Sequence, residues 1–260
     1  MKILPPQTKP PTSPIERQHR PQPVQGRKGY LKFRPCLRWE FGFTCPYCLL
    51  HESDFLRGGC AEGSGVTWIE HLVPQSQDPA QRNAYTNLVY CCGFCNRARA
   101  DRPSKSILGQ ILNPTQNTWA NHFELQGNEL KPRVGDPDAS YTHACYDLDD
   151  PRKTTLRRLR QEVIEHHREL LAVVPAMVAE RIELAQQNLS DHLAVKKYLG
   201  EAQLLRRILM RAIGDLRTYS SIPRDADQKC RCGTTRHQVL PVSLAQQSWD
   251  LLSDMPATEP

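Results

Sequence analysis

Apolar residues change their spacing along this chain, and each change marks a different kind of segment. Residues 1 to 29 are poor in apolar positions and carry Pro5, Pro6, Pro10, Pro11, Pro14, Pro21 and Pro23. That density of proline denies the segment regular helix and sheet, and a disordered arm is predicted. From Tyr30 the pattern becomes globular. "LKFRPCLRWEFGF" predicts a short helix from about Pro35, "LRGGCAEGSG" a flexible loop, and "VTWIEHLVP", rich in β-formers, a strand. A polar loop, "QSQDPAQRNAYT", leads into "NLVYCCGFCNRARADRP", where a brief strand is predicted to pass into a helix.

Past residue 105 the pattern loosens. "ILNPTQNTWANHFELQGNELKP" reads as a loop and a hairpin turning near "QGNE", and a polar stretch, "RVGDPDASYTHACYDLDDP", leads on to helices. Over residues 152 to 219 Leu and Ile recur at three and four positions, the mark of amphipathic helices, with a break expected at Pro175 and an interruption near Gly200. Such helices need a partner surface, which an intramolecular bundle, another protein or a dimer mate would supply. No repeat or sustained heptad is present. The organisation predicted is an arm at 1–29, a globular domain at 30–105, an extension at 106–150, a helical region at 151–220 and a tail at 221–260.

Composition narrows the class. A hydrophobic content of 39% supports a modest core, and no apolar stretch approaches the roughly 20 residues that a membrane-spanning helix needs. The opening "MKIL" breaks at once into "PPQTKPP", which gives no secretory signal, so a cytoplasmic location is expected. The net charge of +6 is concentrated in residues 1 to 35, where eight Lys or Arg face Glu16 alone. A basic arm suits nucleic-acid phosphates or an acidic partner, and equally a solubilising tail.

Ten cysteines in a reducing compartment are read first as metal ligands. Two pairs have ligand spacing, Cys45 with Cys48 in "CPYC" and Cys92 with Cys95 in "CGFC", and together they would make a closed four-sulfur site for structural zinc. Cys91 competes with Cys92 by position; Cys36 and Cys60 are read as thiols outside the metal site, and His51, His122, His166 and His167 as structural or surface residues. "CRCGTTRH" offers Cys230, Cys232 and His237, three ligands at irregular spacing and one short of a tetrahedral site. Between the two pairs lies Glu70 beside His71. An imidazole of ordinary pKa near 6.5 can take a proton at neutral pH, but neighbours on a regular strand point to opposite faces, so the pair converges only where the strand is distorted or ends a hairpin.

A cysteine pair, an acid–histidine strand, a polar loop, "NL" at 87 and 88, then "C" at 92, "CN" at 95 and 96 and a basic residue at Arg99 form an order that resembles the HNH endonucleases with a zinc-stabilised ββα-metal fold. The resemblance covers about residues 34 to 102. It implies an α+β chain with an HNH core, followed by a mainly helical C-terminal region. It implies that His71 is the general base in DNA phosphodiester hydrolysis, that Asn87 braces the loop and orients His71, and that Glu70 and Asn96 hold a catalytic Mg²⁺ or Mn²⁺. Oxygen ligands suit those ions. Register with Asn96 favours Cys92 over Cys91 as the zinc ligand, and Arg97, Arg99 and Arg102 follow closely enough to meet a DNA backbone. The extension, with "LNP", "HFEL" and "YDLDDPRKTTLRRLR", resembles HNH nucleases of bacterial antiviral defence, the Septu type, which act with a separate ATPase. A non-catalytic zinc-stabilised DNA-binding or adaptor module is the alternative reading, and RNA stays open as a substrate.

Overall fold

The computed structural model describes residues 9–57 and 67–220, together with Cys232. The described chain is α+β, with small antiparallel sheets, and divides into a first unit that ends at Arg160 and takes in Cys232, and a second that begins at Gln161.

In the first unit Pro35 sits in the opening turn of α1 (Arg34–Glu40), where its missing N–H costs nothing and its fixed φ suits the helix. After α1 the chain turns through Gly42 and Phe43, both at positive φ, and Thr44 bridges to His51 across the first cysteine pair. Helix α2 (Glu52–Arg57) follows. Strand β1 (Thr67–His71) pairs antiparallel with β2 (Leu88–Cys92) in an unbroken register from Thr67↔Cys92 to His71↔Leu88. Helix α3 (Gly93–Arg99) leaves directly from β2, and the Cys92 sulfur caps it by accepting from the Cys95 N–H. Every residue of β2 is buried, so its sequence, Leu-Val-Tyr-Cys-Cys, is a continuous apolar run and not an alternation.

The extension is not a separate domain. It supplies β3 (Lys105–Ser106), β4 (Gly109–Gln110), α4 (Trp119–His122), the hairpin β5 (Phe123–Gln126) and β6 (Glu129–Pro132), and α5 (Pro137–Tyr146). Its Trp119, Phe123 and Tyr146 share one core with Leu37, Tyr47 and Leu88, and Tyr47 stacks on Tyr146 with ring centroids 3.8 Å apart. Helix α5 occupies the stretch expected to be only a polar lead-in. The Asp136 carboxylate accepts from the Ala139 N–H at 2.8 Å, and Pro137 follows it, so a start signal outweighs a polar composition. Gly109 has a φ of +145°, and a Cβ there would come within 2.6 Å of the Pro137 carbonyl, so β4 can approach α5 only with glycine at that position.

The expectation of a disordered arm at 1–29 is corrected for residues 9–29. The Ile15 N–H donates to the Pro114 carbonyl and the Pro11 carbonyl accepts from the Ala120 N–H, both at 2.9 Å. Arg17 pairs with Glu40 at 2.9 Å and donates to the Leu88 carbonyl at 2.5 Å, and His19 is buried. A proline-rich strand needs no internal hydrogen bonds, so it can be held entirely by partners from elsewhere in the chain. Residues 1 to 8, the loop cysteine Cys60 and the tail residues Cys230 and His237 lie outside the described residues.

Helix α6 (Pro151–Gln187) opens in the first unit and continues in the second, where α7 (His192–Ser220) follows it. The breaks expected at Pro175 and Gly200 do not occur. Proline removes one intrahelical bond, but Val174 and Val178 on either side of it are buried against Leu209 and Ile213 of α7, and that packing holds the helix together. The turn comes instead at residues 188–191, where the Asp191 carboxylate caps α7 by accepting from the N–H groups of Leu193 and Ala194. Val174 and Val178 of α6 thus pack with Ala202, Leu209 and Ile213 of α7, and Arg181 joins Glu201 across the pair at 2.8 Å. Among the described residues no helix is long and apolar enough to cross a membrane.

Candidate functional site

The sulfurs of Cys45, Cys48, Cys92 and Cys95 all lie within 4.8 Å of one another, and all four residues are buried. Those of Cys48 and Cys92 are 3.5 Å apart. A tetrahedral zinc with bonds of about 2.3 Å separates its sulfurs by about 3.8 Å, so this group can hold a metal ion such as zinc. Cys91 stays outside it, with its sulfur against the Cys92 carbonyl at 3.4 Å. Burial pushes the thiols of Cys92 and Cys95 up, and Cys45 and Cys48 add to both. Cys45 is buried too, yet hydrogen bonds from Cys48, Cys91, Cys92 and Cys95 hold it well below the usual thiol range. A divalent cation among four such sulfurs supplies the charge that lets all of them ionise.

Helix α6 grips the first cysteine pair. Lys153, Arg157 and Arg160 recur at intervals of four and three, which places them on one helical face, and all three are buried. Arg157 donates to the Cys48 carbonyl at 2.9 Å, Arg160 donates to the Leu49 carbonyl at 3.0 Å and to the Asp54 carboxylate at 2.6 Å, and Lys153 donates to the Tyr146 carbonyl at 2.6 Å. Burial pulls Lys153 down, but the sulfurs of Cys95, Cys48 and Cys92 outweigh it and hold the ammonium above its ordinary value. A zinc with four thiolates carries two negative charges, and buried cations beside it offset them. These basic residues were read in the sequence only as part of an amphipathic helix; their three-and-four spacing was the available signal. Arg160→Ala is expected to cost about 3 kcal/mol in urea unfolding, because it leaves the Asp54 carboxylate buried without its cation.

Glu70 and His71 close β1. Their register with Val89 and Leu88 contains no bulge, so the two side chains leave opposite faces of the strand, and the distortion that would bring them to one face is absent. His71 faces the loop that follows β1. Its Nε2 lies 2.9 Å from the Arg82 carbonyl, an atom that can only accept, so Nε2 carries the proton and Nδ1 keeps a lone pair; the Gln75 amide approaches Nδ1 at 3.3 Å. Tyr30 packs edge-on to the ring at 4.9 Å. Burial, more than any neighbour, lowers the His71 pKa below its ordinary value of 6.5. The loop itself is fixed by Asn87, which donates to the carbonyls of Val73 and Gln81 and accepts from the Val73 N–H at 2.8 Å. Asn87 therefore anchors Gln81, the residue before the carbonyl that His71 uses.

On the other face Glu70 is 6% exposed, and burial pushes its carboxyl up to about 8 against the opposing pull of Arg99. The Arg99 Nε stands 3.8 Å from the Glu70 carboxylate. Asn96, one turn before Arg99 on α3, shares that helical face and is half-buried. The expectation that Arg99 meets DNA is corrected: it is 0% exposed, under Glu70, where no phosphate reaches it. Arg97 and Arg102 are exposed, Arg97 over the Phe94 ring and Arg102 with one guanidinium nitrogen on the Ala144 carbonyl. His51 and His122 take the structural roles expected of them, with Ser53 and Asp136 as partners.

Comparison of the chain with protein-family models, with curated proteins and with solved structures gives no match.

Proposed function

We propose that the protein is a metal-dependent HNH endonuclease that hydrolyses DNA phosphodiester bonds with His71 as general base. One observation carries the reading: at the end of a hairpin that runs straight into a helix, His71 has Nε2 committed to a backbone carbonyl and Nδ1 left as the proton acceptor. Strand, strand and helix tied by four clustered cysteines are the elements that a zinc-stabilised ββα-metal fold requires. Hydrolysis needs a base to take the proton from water and positive charge to stabilise the phosphorane and the departing 3′ oxygen.

In-line displacement puts the attacking and departing oxygens on opposite sides of phosphorus. A base and a charge-stabilising group on opposite faces of one strand end are compatible with that geometry. Glu70 and Asn96 offer a carboxylate and an amide oxygen, a donor set that fits Mg²⁺ or Mn²⁺, and such an ion would supply the charge on the departing side. Arg97 and Arg102 are placed on the surface to meet phosphates. The weaker resemblance of the extension adds a separate ATPase, in a bacterial defence system, as the protein partner of this proposal.

A second reading, a non-catalytic zinc-stabilised DNA-binding or adaptor module, draws support from Arg99. Its guanidinium already stands beside Glu70, so the acid has a cation without any metal. Titration calorimetry with Mn²⁺ separates the two. The nuclease reading expects binding that Glu70→Ala weakens strongly and Asn96→Ala weakens less, since a neutral amide contributes less charge interaction than a carboxylate. Binding that is missing from the intact protein, or unchanged in Glu70→Ala, supports the adaptor.

A further inference from the structure

Three residues far apart in the sequence meet at a place that the nuclease reading does not use. A ring nitrogen of His19 and the sulfurs of Cys36 and Cys232 all lie within 4.8 Å of one another, and His19 Nδ1 is 3.1 Å from the Cys232 sulfur. His19 and Cys36 are buried, and Cys232 is half-buried. This soft nitrogen-and-sulfur set suits zinc, which is held by histidine at about 2.0 Å and by thiolates at about 2.3 Å.

The arrangement is built and not incidental. Cys36 and Glu40 are four residues apart on α1 and therefore share a face. The Glu40 carboxylate accepts from the backbone N–H groups of Gln18 and His19, at 2.9 and 3.1 Å, and pairs with Arg17. One helical face thus carries a sulfur ligand and also clamps the arm segment that presents the imidazole. Three protein side chains suffice for a tetrahedral zinc when a water takes the fourth position.

We propose that His19, Cys36 and Cys232 form a second zinc site, which ties His19 of the arm and Cys232 to α1. Cys232 stands in a disulfide. A disulfide sulfur does not bind zinc. Two-electron reduction by a thiol such as glutathione, itself oxidised to its disulfide, returns both sulfurs as thiols. Zinc then displaces the proton of each thiol that it binds. The site is therefore one that the reduced chain forms.

The test uses the full chain purified in a thiol reductant. Zinc content by elemental analysis is expected to be about two ions per chain, against about one if only the four-sulfur site fills. Cadmium-113 exchange followed by NMR is expected to give two resonances, one at the low-field position of four thiolates and one upfield of it, where a nitrogen and a water replace two sulfurs. Cys36→Ser and His19→Ala should each remove the upfield signal and leave the four-sulfur signal in place, which also shows that the variants still fold. If a variant fails to fold, the spectrum of the unaltered chain decides. A single resonance with about one zinc in the fully reduced protein overturns the proposal, and so does an upfield signal that survives both substitutions. DNA cleavage enters none of these readouts, so the nuclease reading stands or falls separately.

Discussion

His71→Ala is expected to lose DNA cleavage by about 10²- to 10⁴-fold, the usual worth of a general base, while DNA binding and Mn²⁺ binding remain. The separation follows from the faces of β1. His71 points to the loop side and bonds to the Arg82 carbonyl, whereas Glu70 points to α3 and Arg99, so removing the imidazole leaves the acid and its surroundings intact. The same geometry sets the pH dependence. The base acts when neutral, and burial lowers its pKa below 6.5, so cleavage should rise with pH through a midpoint below that value and then level off. Cleavage assays from pH 5 to 8 on the two proteins check both points. A variant that cuts at the unaltered rate, or a midpoint well above 6.5, would remove His71 from the reaction.

Cys48→Ser is expected to unfold the first unit. Structural zinc contributes on the order of 10 to 16 kcal/mol of apparent binding energy at neutral pH, more than a domain of this size has in reserve. Cys48 sits where several supports converge: its sulfur belongs to the four-sulfur group and its carbonyl receives Arg157. Loss of the metal would also leave Lys153 and Arg157 buried beside thiols with no anionic centre to answer them. Circular dichroism, thermal melting and zinc content of the purified variant measure the outcome. A folded, zinc-free Cys48→Ser protein would show that packing alone holds this unit.

The features that could be read from the sequence were local ones. Each cysteine pair spans a single turn, β1 and β2 are runs of β-formers, and "QGNE" announces a hairpin, so ligand spacing and element order followed from short windows. What stayed hidden depends on distant partners. Proline density in the arm says that it makes no helix, but only Glu40 on α1 and the Pro114 carbonyl decide that it packs. A basic residue on a polar helix reads as solvated; Arg99 turns inward because it lies across from Glu70. Pro175 looks like a stop until the partners of Val174 and Val178 on α7 are known. Likewise "CRCGTTRH" was one ligand short, and the residues that stand beside its Cys232, His19 and Cys36, belong to an arm and a helix near the other end of the chain. The capping signal at Asp136 and Pro137 was local, and a polar composition hid it.

Supercoiled plasmid incubated with the full zinc-loaded chain and Mg²⁺ or Mn²⁺ reports whether the end of β1 cuts DNA. The expected result is conversion to nicked or linear DNA with 5′-phosphate and 3′-hydroxyl ends, stopped by a chelator of the divalent ion and lost in His71→Ala from the same preparation. Plasmid that the protein binds but leaves intact with both ions, or cuts equally well after His71→Ala, would contradict it.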